Sequence, residues 1–506
     1  MRSKRYDDPH ENAVKSKQLP AVLLSPVPPS RIQALNECPL NPRGGFVLYW
    51  MIAARRTRWN FALQHAVVLC RELDAPLLIL EALDTDYPWA TDRIHRFTLD
   101  GMAGNAAACR RSRAVYYPFV ERKRGAGAGL IAALSRHACA VVTDHFPAFL
   151  IPGVTRAAAR QSAVRLESVD SNGLIPLSAH GRAFTTARSY RAFVQRELRN
   201  HLREFPEEHP LRALPRGRRA SVPSAIARRW QPAEDLLNRT SPLEALPIDH
   251  TVPPVRTQGG EAAARRRLTA FVEQDLKDYG RDHNHPDANA TSGLSPYLHF
   301  GHIAAHEVFS AVMTSERWTT RRLSRRGGGA REGWWGVSDS ANTFLDQLVV
   351  WRELAFNGCE WIPDYRDYDT LPSWARETLE AHRSDRRRQY AFETLESAAT
   401  HDVIWNATQR QLIADGWFHG YLRMLWGKKI LEWAPDPPTA VAWMETLMNR
   451  YSLDGRDPVS YASFAWVLGR YDRPWPERPV FGTVRYMSSE SAKRKLKMAE
   501  FLKRYR

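Results

Sequence analysis

The chain has 506 residues, enough for about two or three domains, with 43% hydrophobic residues, 72 Lys and Arg against 55 Asp and Glu, and a formal net charge of +17. No run of about 18 apolar residues marks a membrane span, and the first 30 residues lack the apolar core of a secretory signal. So large a positive excess points to a polyanionic partner, and five scattered cysteines with no C-x-x-C pair point to a reducing compartment, away from disulfides and zinc.

Residues 1–30 are polar and proline-dotted and read as mostly disordered; 1–40 is assigned as an N-terminal arm. Residues 46–51 form a short apolar run after the turn-forming Asn41-Pro42-Arg43-Gly44-Gly45, a buried strand. Over 60–73 the apolar residues Phe61, Ala62, Ala66, Leu69, Cys70 and Leu73 have helical spacing. Strands follow at 76–83, 114–117 and 138–143, with a helix at 129–137. Near-continuous apolar strands alternating with helices imply a parallel sheet covered on both faces, so 41–175 reads as an α/β, Rossmann-like domain. It lacks G-x-G-x-x-G; Gly125-Ala126-Gly127-Ala128-Gly129 is the nearest approach and only a weak phosphate cradle.

From 176 to 260 prolines such as Pro206, Pro210, Pro215 and Pro223 break up long helices, and the segment reads as a connector with a short helix at 189–205. Residues 261–506 are helical and tryptophan-rich, a large all-α domain. The basic stretch 321–331 reads as a mobile loop, open to either a solvated-linker or a DNA-touching role, and 491–506 reads as a basic amphipathic helix. His283 and His285 lack the partner spacing of ligands, and no metal is expected.

Four stretches carry candidate chemistry. Tyr279 and the run Thr291-Ser292-Gly293-Leu294-Ser295-Pro296 offer hydroxyls before a helix start, an arrangement that binds phosphate or merely caps a helix. Gln347 and Trp351 stand four apart, a carboxamide beside an indole on one helical face, suited to a flat hydrogen-bonding ligand; Arg352-Glu353 beside them reads equally well as a structural ion pair. Trp426 and Trp433 are seven apart, so both rings lie on one face roughly 10 Å apart along the axis, and Trp405 could join them from a neighbouring helix. Core packing accounts for that row, and so does a path for single electrons. Lastly, Asp454-Gly455-Arg456-Asp457-Pro458 packs charges around a turn, where a carboxylate could hold Arg423 in a buried pair.

These residues carry a family. From about residue 41 to the end the chain resembles DNA photolyases, within them the class II cyclobutane pyrimidine dimer photolyases. The carrying blocks include Leu294-Ser295-Pro296-Tyr297-Leu298-His299-Phe300-Gly301, His401-Asp402 with Trp405-Asn406-Ala407, and Trp426-Gly427-Lys428-Lys429-Ile430-Leu431-Glu432-Trp433, followed by the Asp454–Pro458 turn. The resemblance implies an α/β antenna domain and a helical domain holding FAD, with light-driven repair of pyrimidine dimers in double-stranded DNA by electron transfer from excited reduced FAD. It matches Tyr279, Thr291, Ser292, Leu294, Ser295 and Asn449 to cofactor binding, and Trp426, Trp405 and Trp433 to the electron relay. It matches Gln347, Trp351 and Trp466 to contacts with the flipped dimer, and Arg423 and Asp454 to a charge pair beside the flavin. An antenna chromophore, a deazaflavin or a folate, a monomeric state and a cytoplasmic location (at the nucleoid in a prokaryote) are further expectations. Relatives place an asparagine opposite flavin N5 where this chain has Met448, and often a glutamate where it has Gln347. A thioether is a weak acceptor, so both departures point to less efficient repair or a less stable reduced flavin. The alternative is a flavin photoreceptor of the same family that does not repair DNA.

Overall fold

The computed structural model describes residues 26–288 and 290–506. Its first part is built on a six-stranded sheet in the order β1-β6-β5-β2-β3-β4. The strands are β1 (Ile32–Ala34), β2 (Phe46–Met51), β3 (Leu77–Leu83), β4 (Val115–Val120), β5 (Ala138–His145) and β6 (Leu166–Asp170). All pairs are parallel except β1 with β6. The helices α1 (Phe61–Glu72), α2 (Asp92–Arg110), α3 (Leu130–Ser135) and α4 (Ile151–Gln161) connect them. Every residue of β2 is buried, because alternate side chains enter two cores. Val47, Tyr49 and Met51 pack with Phe61, Leu63 and Val67 of α1, while Phe46, Leu48 and Trp50 pack on the other face with Leu130, Leu134 and Trp230. This is the parallel, doubly covered sheet that the apolar runs imply.

The last part of the arm expected at 1–40 is packed on the sheet instead. Residues 1–25 lie outside the described residues, but Ile32–Ala34 pair with β6 in the register Ile32↔Val169. Arg31, buried beside them, donates to the carbonyls of Asp170 (3.2 Å), Gly173 (3.2 Å) and Leu174 (2.8 Å). A three-residue edge strand has no readable period, and what holds it is tertiary.

After β6 come α5 (Ala187–His201), the irregular connector, and from Glu261 a helical region with two large cores, which also take in Phe97 of α2 and Phe146 after β5. Two of its long helices carry a π-helical turn, at Phe271–Asp275 and at Asp346–Trp351. The C-terminal segment is two short helices, Ser489–Lys495 and Ala499–Arg504, rather than the single one expected. The second starts where the Asp287 carboxylate accepts from the Phe501 and Glu500 amides (2.8 and 3.3 Å), a cap supplied by a distant segment. Their apolar side, with Ala492, Met498 and Phe501, packs on Ile404, Leu422 and Leu425. No helix among the described residues is long and apolar enough to cross a membrane.

Candidate functional site

The tryptophan row is built by two helices, Val403–Asp415 and Gly420–Trp433. Asp402 is the N-cap of the first, accepting from the amides of Ile404 (3.1 Å) and Trp405 (3.0 Å), which fixes Trp405 in the opening turn. Gly427 lets the second helix cross Pro458–Val467 closely, since a Cβ there would stand 2.7 Å from Val467 Cγ2. Trp405 lies between the other two indoles. Its ring is parallel to that of Trp426 (centroids 6.4 Å, 2°) and edge-on to that of Trp433 (5.4 Å, 69°). All three are at most 1% exposed. Trp405 Nε1 donates to the Trp426 carbonyl (3.1 Å), and Trp426 Nε1 donates to Gln409 Oε1 (2.9 Å), so neither buried N–H is left unpaired.

The row continues outward. Tyr390 meets Trp433 edge-on at 5.3 Å, and its hydroxyl shares a hydrogen bond with Nδ1 of the exposed His401 (2.6 Å) while accepting from the His401 amide (3.1 Å). Sequence reasoning missed Gln409 and Tyr390. Gln409 was findable, four residues after Trp405 on the same helix; Tyr390 arrives from a separate segment and left no local signal.

At the inner end, Phe418 packs edge-on against Trp426 (5.4 Å), and the Arg423 guanidinium lies over Phe418 (5.1 Å). Arg423 Nη2 donates to both Asp454 oxygens (3.0 and 2.9 Å). Burial works to raise the Asp454 carboxyl, but the Arg423 charge and the Ser452 and Ser295 hydroxyls outweigh it and hold the group below its ordinary value. Arg423 Nε remains buried without a hydrogen-bond partner. The turn is possible because of Gly455, where a Cβ would stand 2.6 Å from the Met448 carbonyl oxygen, and Arg456 follows in the left-handed region at φ 64°. Met448 is wholly buried, in the same core as Trp426. Asn449 uses its Oδ1 to accept from the Arg456 amide (2.7 Å), which ties that oxygen to the turn. Asp457 caps the next helix through the Val459 amide (2.8 Å) and accepts from His299 Nδ1 (3.1 Å).

The hydroxyl-rich run differs from its expected form. The helix it precedes is only Ser295–His299, and its N-cap position is Leu294, with no side-chain cap. Ser292 Oγ accepts weakly from the Leu294 amide (3.4 Å), and Thr291 and Ser292 are half-buried in a loop held by Arg267, whose Nε donates to the Ser292 carbonyl (2.7 Å). Tyr279 is buried, stacked on His283 (4.8 Å), and burial pushes its phenol up; its hydroxyl has no hydrogen-bond partner among the described residues.

Gln347 and Trp351 fall inside the π-helical turn, so their i, i+4 relation is not the α-helical one the sequence reading assumes. Gln347 is exposed, and Trp351 and Trp466 are half-buried at the rim of one core. Arg352 and Glu353 do not pair with each other. Arg352 Nη1 donates to the Asn172 carbonyl (2.8 Å), and Glu353 accepts from the Leu174 amide (2.8 Å), so together they grip the loop after β6. Burial pushes the Glu353 carboxyl up to about 7. Trp466 is held by cations: Lys428 Nζ is 5.1 Å from its ring and the Arg485 guanidinium 5.6 Å. Lys428 is fully buried, donates to the Val467 carbonyl (2.6 Å), and is lowered by burial to about 7.

A separate cavity of about 530 Å³ lies at the carboxyl ends of β2, β3 and β4, lined by Trp50, Leu80, Asp84 and Phe119 and closed by Phe300 and Arg456 from the helical region. The weak Gly125–Gly129 cradle borders it. Carboxyl strand ends beside the point where strand order reverses, here between β2 and β5, are where α/β sheets take ligands.

An α/β sheet joined to a helical body is the fold of the photolyases. A bacterial class III photolyase from Agrobacterium tumefaciens superposes with a TM-score of 0.66 over 91% of this chain and 86% of its own, at 18% identity. No family model matches the chain. Curated relatives do. The deoxyribodipyrimidine photo-lyase of Methanothermobacter thermautotrophicus is 32% identical over 478 residues, covering 94% of this chain and 98% of that protein. The one from Oryza sativa subsp. japonica is 34% identical over 494 residues, covering 94% and 90%. The chain belongs to the photolyase/cryptochrome family.

Proposed function

We propose that this protein is a deoxyribodipyrimidine photo-lyase of class II type, repairing cyclobutane pyrimidine dimers in duplex DNA under blue light, with FAD as its cofactor. The observation that carries the reading is the unbroken row of three buried indoles running from the Arg423–Asp454 pair to the surface at Tyr390 and His401. Core packing alone does not call for a near-parallel Trp405–Trp426 pair ending at a buried guanidinium whose Nε lacks a partner.

The donor set fits FAD. Arg423 Nε is an unspent donor, and Tyr279, Thr291 and Ser292 offer hydroxyls to its phosphates, while the Ser295 hydroxyl is committed to Asp454. When bound, reduced FAD would supply light-driven single-electron chemistry to the dimer. The chain's own residues do the rest. Trp351 and Trp466 offer flat faces for an extruded dimer, and Lys428 and Arg485 fix the second of these. The fixed Arg423–Asp454 charges would orient that group, and Trp433, Trp405 and Trp426 offer a path by which electrons could reach it from the surface. Excess positive charge supplies the affinity for the DNA backbone. Met448 and Gln347 temper the chemistry, offering a thioether and a neutral amide where relatives use stronger groups. Residues 261–506 are the catalytic domain and 41–175 the antenna domain, with the cavity at the strand ends as the chromophore site, and the protein works as a cytoplasmic monomer.

The test is direct. Purified protein is photoreduced, and dimer loss from ultraviolet-irradiated DNA is followed under blue light. Light-dependent dimer loss is expected. A protein whose flavin reduces but which never clears dimers is the photoreceptor instead.

A further inference from the structure

A strongly basic cavity lies away from this site. It is open, about 930 Å³, and sits between α2, the loop after β2, the connector and the Glu261–Ala270 helix. It shares no lining residue with the cofactor, relay or lesion candidates. Arg110, Arg111, Arg212 and Arg216 line it, all exposed and none with a carboxylate partner among the described residues. Arg113 adds further charge, while Arg58 and Arg265 in the lining are already paired, the first with Glu208 and Glu261 and the second with Glu307. Glu261 is the one carboxylate in the lining, and it is already engaged by the Thr57 amide (3.1 Å) and Arg58 (3.6 Å). Partial burial, then the charges of Arg58 and Arg212, hold His209 below the ordinary histidine value against the opposing charge of Glu208.

The floor is made by Gly104, Ala107 and Ala108 of α2, small residues that admit a ligand backbone closely. Apart from the His209 imidazole the lining contains no ring, so nothing there can stack an unpaired base. Unpaired arginines without a stacking platform read phosphates and not bases. A duplex, whose bases are already stacked inside, presents that surface. We propose that this groove binds the phosphodiester backbone of a second duplex DNA segment while the lesion site holds the first, giving the protein a route between segments. The proposal rests on the reading that the chain acts on DNA.

The experiment uses the full chain and the variant R110A/R111A/R212A/R216A, with matched thermal melts as the check on folding. Each protein is saturated with a short unlabelled dimer-containing duplex, then titrated with a fluorescent undamaged duplex across a salt series. At about 0.9 per phosphate contact, four arginines give a salt slope near −3.6, so second-duplex affinity falls roughly 100-fold between about 50 and about 200 mM salt. The variant is expected to lose that binding. A saturated wild-type complex that takes no second duplex, a variant that takes it unchanged, or a groove that takes only inorganic polyphosphate overturns the proposal. Dimer loss under light is measured on the same samples. Intact repair without second-duplex binding sinks the groove alone; second-duplex binding without repair sinks the repair reading alone.

Discussion

Removing the Asp454 carboxylate exposes the logic of the site. Arg423 and Asp454 have side chains only 12% and 5% exposed. Arg423 Nη2 bridges both carboxylate oxygens at 2.9 and 3.0 Å, and no other carboxylate stands within ion-pair distance of Arg423 among the described residues. Asp454→Ala therefore strands a buried guanidinium, which costs about 3–5 kcal/mol. That is a large part of the ~5–15 kcal/mol by which domains are stable. Asp454→Asn keeps the shape and one acceptor, and loses about 1.5–3 kcal/mol, the worth of a hydrogen bond to a charged group. The double variant R423A/D454A should recover part of the loss, a coupling of roughly 0.5–3 kcal/mol. The assay is urea unfolding of the flavin-free protein at several pH values. Because the folded carboxyl titrates below its ordinary 3.8, its contribution is present above that value and is lost as pH falls through the lower folded one. The wild-type advantage over Asp454→Asn should thus shrink in acid. A loss under about 1 kcal/mol in Asp454→Ala, the range of exposed pairs, or strict additivity in the double variant, would refute the reasoning.

Trp405→Phe replaces contacts of 6.4 and 5.4 Å with one Trp426-to-Trp433 gap of roughly 10 Å along the helix axis. Photoreduction by an external reductant should then fail while FAD stays bound, and photoreduction at the wild-type rate contradicts the relay. Met448→Asn puts an amide into an apolar core at a cost of about 1–3 kcal/mol in the flavin-free protein. FAD should recover part of that and its reduced state should persist longer; equal destabilisation with and without FAD argues that position 448 does not face the cofactor. Glu353 keeps its proton when folded up to about 7 but loses it near 4.5 when unfolded, so stability falls as pH rises between those values. Glu353→Gln should flatten the melting temperature across that window, and parallel curves for the two proteins speak against it.

Repetition along the chain is what the sequence could show. Strands β2, β3 and β5 announce themselves as apolar runs because both sheet faces are covered, and that alone fixes an α/β class for the first part. The seven-residue spacing of Trp426 and Trp433 places both rings on one helical face without any coordinates. The charge pair of Arg423 with Asp454 was legible as a possibility of residue type, and its partners Phe418 and Ser452 were not. The π-helical turn at Gln347 and Trp351 escaped notice because one extra residue per turn leaves no mark on a pattern read at 3.6. Tertiary structure alone decided the rest. It set Trp405 parallel to Trp426, brought Tyr390 and His401 to the outer end of the row, let Asp287 cap the last helix, and gathered arginines from four segments into one groove. The physical reason is common to all of these. Periodicity and propensity are properties of neighbours in sequence, whereas a ring's angle, a cap lent across the fold and the sum of charges in a cavity depend on segments far apart in the chain that meet only when it is folded.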